Sequence, residues 1–256
     1  MKVSIIIPAY NEEKRIGNTL KEYSRFFENL RKEKKLNYEI LVVINNTKDN
    51  TELIVKKYQK KNKNIKYINL PKGGKGYATA EGFKNALSQK NDLLGFVDAD
   101  MATSPEAFYD LIKNIRDADG IIASRYVKGA QVSPKQSIQR IIVSRMFNFV
   151  IRSLLFLPYK DTQCGAKIFK SESIEKILPN LTMSQWAFDI DILYNLKKRG
   201  YKIKEHPTTW ADKEYSKINF MKAGPKMVLA IIRLRILNSP FKDLMRVYGL
   251  LKKREY

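Results

Sequence analysis

Asp98 and Asp100 stand two residues apart, directly after the apolar run Leu93-Leu94-Gly95-Phe96-Val97. If that run is a strand, alternation points both carboxylates to one side at its carboxyl end. Two hard oxygen ligands so placed can hold Mg2+ or Mn2+ against a diphosphate, the protein supplying one or two carboxylates and the substrate the rest. An acidic turn or a helix N-cap is the plainer reading of a D-x-D triplet; its place after a fourth strand favours the metal. Gly73-Gly74-Lys75-Gly76 opens an expected helix, where backbone N–H groups and the Lys75 ammonium favour an anion. A plain turn is the alternative there. The segment is not a Walker A motif, and no G-x-G-x-x-G follows a strand, so ATPase and dinucleotide oxidoreductase readings lose support. Pro8-Ala9-Tyr10-Asn11-Glu12 closes the first apolar run. Pro8 is expected to stop the ladder, Tyr10 offers a flat face for a base, and Asn11 can cap the next helix.

The elements that must position these residues alternate between two periods. Val3–Ile7 is a short β-branched run and reads as a buried strand. Residues 12–35 carry Ile16, Leu20, Tyr23 and Phe27 at spacings of 4, 3 and 4, one helical face. Strands follow at Glu39–Ile44, Ile65–Leu70, Leu93–Val97 and Ile121–Ala123, with helices over residues 50–61 and 75–89 between the first of them. Strand and helix in this order mean parallel βαβ units in a doubly wound α/β sheet. Such sheets bind ligands at the carboxyl ends of their strands, and the polar clusters above fall there, together with Asn45-Asn46-Thr47-Lys48-Asp49. The second half differs. Residues 136–157 read as one long helix, apolar from Ile141 to Leu157 except for a stripe at Arg145, Asn148 and Arg152, the pattern of a helix lying in a membrane interface. The last 36 residues hold nine Lys/Arg and two Asp/Glu among apolar segments. Residues 1–220 are therefore expected to form the main domain and 221–256 a basic amphipathic helical segment that associates with membrane or packs in an oligomer.

Composition narrows the class. The chain has 256 residues and a formal charge of +22, with 44% hydrophobic and 29% charged residues, which excludes wholesale disorder. Cys164 and His206 are single, so an intrachain disulfide, a cysteine zinc cage and a His-rich metal site are excluded. No window approaches the roughly 18 apolar residues of a spanning helix, and the N-terminal apolar run is too short for a signal peptide. The expected location is the cytosolic membrane face. The charge calls for anionic partners: nucleic acid, phosphorylated small molecules or a lipid surface. A nucleic-acid module would interleave aromatics with Lys/Arg on an exposed face. Here the cations lie beside apolar helices and the D-x-D has no use in such a module, so no nucleic-acid partner is expected.

Taken together, Ser4-Ile5-Ile6-Ile7-Pro8-Ala9-Tyr10-Asn11-Glu12, Glu39-Ile40-Leu41-Val42-Val43, Gly74-Lys75-Gly76 and Asp98-Ala99-Asp100 resemble the family 2 glycosyltransferases of GT-A fold. Ala123-Ser124-Arg125, Asp161-Thr162-Gln163-Cys164-Gly165-Ala166-Lys167, Trp186-Ala187-Phe188-Asp189, and Trp210 ahead of Ser216-Lys217 are similar to the dolichyl-phosphate β-glucosyltransferases and mannose synthases within it. The resemblance spans residues 1–240 in matching order. It implies a nucleotide-sugar donor, a divalent metal and a polyprenyl (dolichyl) phosphate acceptor. It departs at Ile44-Asn45-Asn46-Thr47, where the family usually has D-D-G-S; Asn45 there becomes a neutral contact for the donor base. Ala102 stands where mannose synthases often carry glutamine, which tilts the sugar towards glucose.

On this resemblance Asp100 binds metal and Asp98 reaches the metal or the ribose. Pro8, Tyr10, Glu12, Asn45 and Lys75 surround the donor. Arg125, Arg140, Gln163 and Lys217 are candidates for the acceptor side, a guanidinium suiting a phosphate. A phosphate monoester has a second pKa near 6 and attacks without a base. An acceptor hydroxyl, as in surface polysaccharide assembly, would need one, and Asp189 is the first choice. A single in-line displacement inverts the anomeric centre. Trp186 and Trp210 shape the pocket or pack in the core, Asp161 lines the site or is structural, Cys164 is a small buried residue, and His206 is an ordinary strand residue.

Overall fold

The structure, a computed structural model, describes residues 1–134, 138–181, 187–211 and 220–239, with the side chains of all but 138–140, 220–223, 225 and 226. The chain runs β1 (Lys2–Ala9), α1 (Ile16–Lys32), β2 (Asn37–Asn45), α2 (Thr51–Lys61), β3 (Ile65–Leu70), α3 (Lys75–Ser88), β4 (Leu93–Phe96), α4 (Pro105–Asn114), β5 (Gly120–Ser124), β6 (Gln131–Val132), α5 (Ile138–Leu155), β7 (Lys167–Lys170), α6 (Ser171–Ile177), α7 (Phe188–Lys198), β8 (Ile203–Pro207), β9 (Thr209–Trp210) and α8 (Phe220–Leu237). Among the described residues seven strands form one sheet in the order β3-β2-β1-β4-β7-β5-β8, and β6 pairs with β9. All neighbours are parallel except β7, which runs antiparallel to both β4 and β5.

The β1 run is apolar throughout because both of its faces are covered. Ile5 and Ile7 join a core with Tyr23 and Phe27 of α1 and Phe108 of α4. Ile6 joins the opposite core with Phe83 of α3, Phe96, and Ile192 of α7. The stripe expected on α1 is buried along its length, ending at Leu30. Two polar groups on the same face of α1 reach the turn after β4. The Thr19 hydroxyl donates to the carbonyl of Ala99 at 2.7 Å, and the Tyr23 hydroxyl to that of Thr103 at 2.8 Å. The first helix thus fixes the backbone of the D-x-D segment.

Pro8 does not stop the ladder: β1 continues through Ala9, with Pro8 opposite Val43 of β2. In a parallel strand alternate residues direct their hydrogen bonds to alternate neighbours. Ile6 accepts from Val97 on the β4 side, so the missing N–H of Pro8 points to that side too. Pairing with β4 has already ended at Ile6, so the proline loses nothing there.

β7 enters from the second half of the chain and separates β4 from β5. Its four residues include Lys167, which is wholly buried, and no local pattern announced it. In α5 the polar stripe lies differently from expectation. Asn148 is buried against the body of the protein, while Ile142, Val143, Met146 and Phe149 are exposed. α8 packs beside α5, with Ile231 and Leu234 in the second core. Residues 240–256 of the basic segment lie outside the described residues.

Candidate active site

The crevice at the carboxyl ends of β1, β2 and β4 is built on three tight turns, each with a residue at positive φ: Asn11 (53°), Asn46 (48°) and Met101 (61°). For asparagine this costs little; for methionine it is strained, and such strain gathers where a turn must aim a side chain. Met101 directly follows Asp100, whose Oδ1 accepts the N–H of Ala102 at 3.0 Å and closes the turn. Asp98, at the other end of the triplet, takes the Lys75 ammonium on Oδ1 at 2.5 Å. The far side of Asp98 faces Gly165: a Cβ there would fall 2.0 Å from Oδ2. The D-T-Q-C-G loop therefore approaches the carboxylate with bare backbone.

Burial, and next the neighbouring Asp98 charge, push the Asp100 carboxyl above its usual range, against the pull of the Ala102 N–H, Arg15 and Lys75. Burial pulls the Lys75 ammonium down, but Asp98, Asp189 and Asp100 outweigh it and drive it well above its usual range. Lys75 thus sits among three carboxylates. It begins α3 just after Gly74, whose φ of 133° suits only glycine. The Gly74 N–H donates to Asn45 Oδ1 at 3.1 Å, and the Asn45 amide donates to the Ala9 carbonyl at 3.1 Å. Asn45 is buried. It is a brace joining β1, β2 and the glycine turn, not the open contact for a base expected of it. Tyr10 is half exposed at the rim. Glu12 lies beside it in a two-pronged pair with Arg15, at 2.5 and 2.6 Å.

Asp98 and Asp100 fit a divalent cation: they are adjacent hard oxygen donors whose mutual repulsion a cation would relieve. Among the described residues no group of three or more His, Cys, Asp or Glu could hold a metal. Such a cation would therefore take its remaining ligands from a bound diphosphate.

On the other side of β4, two ion pairs hold the 161–167 loop. Arg125 donates from Nε and a terminal nitrogen to Asp161 at 2.8 and 2.9 Å, and its own N–H adds a third bond at 3.0 Å. Asp161 is wholly buried and the Arg125 side chain only 12% exposed. The guanidinium lies over the rings of Trp210 and Tyr126, at 5.2 and 5.3 Å. Arg125 is thus neither a solvated charge nor a cation left open for a phosphate; it is answered by Asp161. Lys167 Nζ donates to Asp189 Oδ1 and to the carbonyl of Cys164, both at 2.6 Å. Asp189 stands in the first turn of α7, within electrostatic reach of Lys75.

Gln163 is half-buried on the same loop. The side chain of Arg140, and all of Trp186, Ser216 and Lys217, lie outside the described residues. Cations without a carboxylate partner among the described residues do occur nearby. Arg145, Arg152 and Lys160 line a surface cavity of about 380 Å³ with Tyr126, Asn148 and Phe149. Asn148 ties this wall to the loop, accepting the N–H and hydroxyl of Thr162 at 3.1 and 2.9 Å. His206 pairs with Asp110 at the far edge of the sheet. Sequence reasoning passed over Arg15, Lys167 and the bare face of Gly165; only the D-T-Q-C-G string itself pointed to the last two.

The sequence model of Glycosyl transferase family 2 matches residues 4–178. Dolichyl-phosphate beta-glucosyltransferase of Dictyostelium discoideum is 32% identical, over 91% of this chain and 73% of its own length. The Homo sapiens protein of that name is 28% identical, over 94% and 78%. Among solved structures, glucosyl-3-phosphoglycerate synthase from Mycobacterium tuberculosis, in complex with Mn2+, uridine diphosphate and phosphoglyceric acid, superposes with a TM-score of 0.65. That match has 15% identity and covers 92% of this chain and 77% of the other. A mannosyltransferase from Pyrobaculum calidifontis, in complex with GDP-Man and Mn2+, superposes with a TM-score of 0.60 at 15% identity, covering 96% and 68%. These two share the GT-A fold. With its family pattern running from β1 to the end of α6, and relatives matched over nine-tenths of its length, the chain belongs to glycosyl transferase family 2, among the relatives of dolichyl-phosphate beta-glucosyltransferase.

Proposed function

We propose that the protein is an inverting, metal-dependent glycosyltransferase. It transfers a hexose, glucose before mannose, from the matching nucleotide sugar, UDP-glucose before GDP-mannose, to a dolichyl or related polyprenyl phosphate at the cytosolic face of an anionic membrane. The observation that carries this reading is the convergence of Asp98, Asp100 and Lys75 at the carboxyl ends of β1, β2 and β4. Two carboxylates with an ammonium at a helix start are a seat for a diphosphate and its cation. The names of the relatives above support the sugar and the acceptor, and the Mn2+ in the two superposed structures supports the metal.

In this reading Asp98 and Asp100 would hold Mg2+ or Mn2+, which neutralises the leaving diphosphate. Lys75 adds charge to the same group, and Tyr10 at the rim faces the base. A lipid phosphate is largely dianionic at neutral pH, so an oxygen of it attacks the anomeric carbon with no proton to remove. The new carbon–oxygen bond forms as the bond to the nucleoside diphosphate breaks, in line, and an α-linked donor yields a β-linked lipid. Arg125 serves the reaction by fixing the loop that bears Gly165 and Gln163. Arg145, Arg152 and Lys160, on the wall joined to that loop by Asn148, draw the anionic head of the acceptor.

The deciding experiment offers UDP-glucose, GDP-mannose and other donors with a short polyprenyl phosphate and with soluble sugar acceptors, and identifies the products. The expected product is a glucosyl phospholipid, lost in excess chelator and in Asp100→Ala, a variant that keeps its fold. Transfer confined to sugar hydroxyls would replace the lipid reading and call Asp189 in as base. Full activity in chelator would remove the metal.

A further inference from the structure

Lys75 does something in the resting site that diphosphate binding does not require of it. Its ammonium occupies Oδ1 of Asp98 at 2.5 Å. The other oxygen of Asp98 is covered by the backbone of Gly165, so closely that a Cβ there would sit 2.0 Å away. Oδ1 of Asp100 is engaged by the Ala102 N–H. Asp189, the third carboxylate near Lys75, already takes the buried Lys167. Asp98 and Asp189 are therefore each matched by a lysine before any ligand arrives, and Asp100 by a backbone N–H. A divalent ion approaching alone meets an ammonium on the oxygen it needs, with the Arg15 guanidinium near Asp100.

We propose that Lys75 holds the place of the divalent metal in the resting enzyme, and that a nucleoside diphosphate draws it off Asp98, so that metal and nucleotide bind only together. The proposal rests on the donor and metal reading above. The movement asked of the lysine is small. Lys75 is the first residue of α3, a 14-residue helix, and a diphosphate at the start of that helix lies within the swing of its four-carbon stem. The side chain is 39% exposed, and among the described residues its ammonium is hydrogen-bonded to Asp98. The anion gives the ammonium a new partner, brings negative charge to offset the metal, and frees Oδ1. Coupling of this kind is reciprocal: the factor by which diphosphate tightens the metal is the factor by which metal tightens diphosphate.

A lysine that only bound diphosphate would, when removed, weaken the nucleotide and leave binding of metal alone unchanged. A placeholder, when removed, opens the site to metal alone. The test titrates Mn2+ into the full-length protein with and without UDP, reading free Mn2+ by electron paramagnetic resonance. It compares the unaltered protein with Lys75→Met, Lys75→Gln and the charge-conserving Lys75→Arg. The unaltered protein is expected to bind Mn2+ alone weakly and at least about 10-fold more tightly with UDP, within the usual range of coupling. Lys75→Met and Lys75→Gln are expected to bind Mn2+ alone about 10-fold more tightly than the unaltered protein, with little further gain from UDP. Lys75→Arg is expected to keep the weak resting affinity. If Mn2+ alone binds Lys75→Met and Lys75→Gln no better than the unaltered protein, while UDP still drives uptake, the placeholder role is overturned and the donor reading stands. The same follows if the unaltered protein takes up Mn2+ as well without UDP as with it. Absence of Mn2+ uptake by the unaltered protein with both UDP and GDP overturns the donor reading and this proposal with it.

Discussion

Arg125 and Asp161 show how little a residue's type says about its work before its partner is known. A guanidinium at the end of a strand suits a phosphate, yet this one is closed by three bonds to a wholly buried carboxylate. Removing one partner of such a pair leaves the other charge buried and unanswered, which costs about 3–5 kcal/mol. Asp161→Asn is therefore expected to lower stability in chemical denaturation by about that amount, and Arg125→Met combined with Asp161→Leu to recover part of it. A double variant no better than the single one would show that the pair serves more than charge balance. Burial pushes the Asp161 carboxyl up, but the Arg125 guanidinium outweighs it and holds it below its usual range. A carboxylate lowered on folding adds stability above its unfolded pKa of about 3.9, and that stability drains as pH falls through the folded value. The protein should thus lose stability in acid below about pH 4, and Asp161→Asn should flatten that part of the profile. In the same loop, burial and then Asp161 push the Cys164 thiol up to about 11. A thiol reagent at pH 8 is expected to label Cys164 only in denaturant; rapid labelling of the native protein would show that the loop opens.

At the scale of elements, the site depends on two backbones meeting: the turn after β4 and the loop before β7. Gly165 is the point of contact. Gly165→Ala places a methyl on Asp98 Oδ2, and the carboxylate must turn away. Misplacing a group by about 1 Å can cost roughly 100-fold in rate, so kcat/KM is expected to fall by about that factor while the melting temperature stays near its original value. A comparable loss of stability would mean that the alanine disrupts the loop as a whole. Asn148 makes the analogous link between α5 and Thr162. Asn148→Leu leaves two buried donors without an acceptor, at about 1–3 kcal/mol each.

At the scale of the whole molecule, most of the large exposed apolar residues sit on or beside the contacting helices α5 and α8. Ile142, Met146 and Phe149 of α5, Phe156 just after it, and Leu229 and Ile232 of α8 all face outward. Within α5 and α8 there are seven Lys/Arg and no Asp/Glu. Among the described residues no helix is long and apolar enough to cross a membrane. An apolar face rimmed with cations suits the surface of an anionic bilayer. Co-sedimentation is expected with anionic vesicles and not with neutral ones. Arg145→Ala and Arg152→Ala should each weaken it up to about 5-fold, since a basic residue contributes about 1 kcal/mol at best. Met146→Ser with Phe149→Ser should weaken it further, and salt should weaken all of them. Equal binding to neutral and anionic vesicles would remove the electrostatic part, leaving an apolar face that fits a second copy of the chain.

What could be read from the sequence alone was whatever is encoded locally. β1 to β5 and α1 to α3 were legible because apolar period and turn residues are properties of neighbours along the chain, and the D-x-D and glycine turn were legible because strand ends follow from strands. β7 was not: four residues, two of them lysines, carry no period, and its place between β4 and β5 depends on partners far away along the chain. Partners were also invisible. Asn45 became a brace, Arg125 a closed pair, and Asn148, alone of the α5 stripe, an inward anchor, because each is decided by a residue 29, 36 or 14 positions away. Side-chain chemistry is fixed by the residue itself, but whether a charge is free to meet a ligand depends on what the fold brings against it.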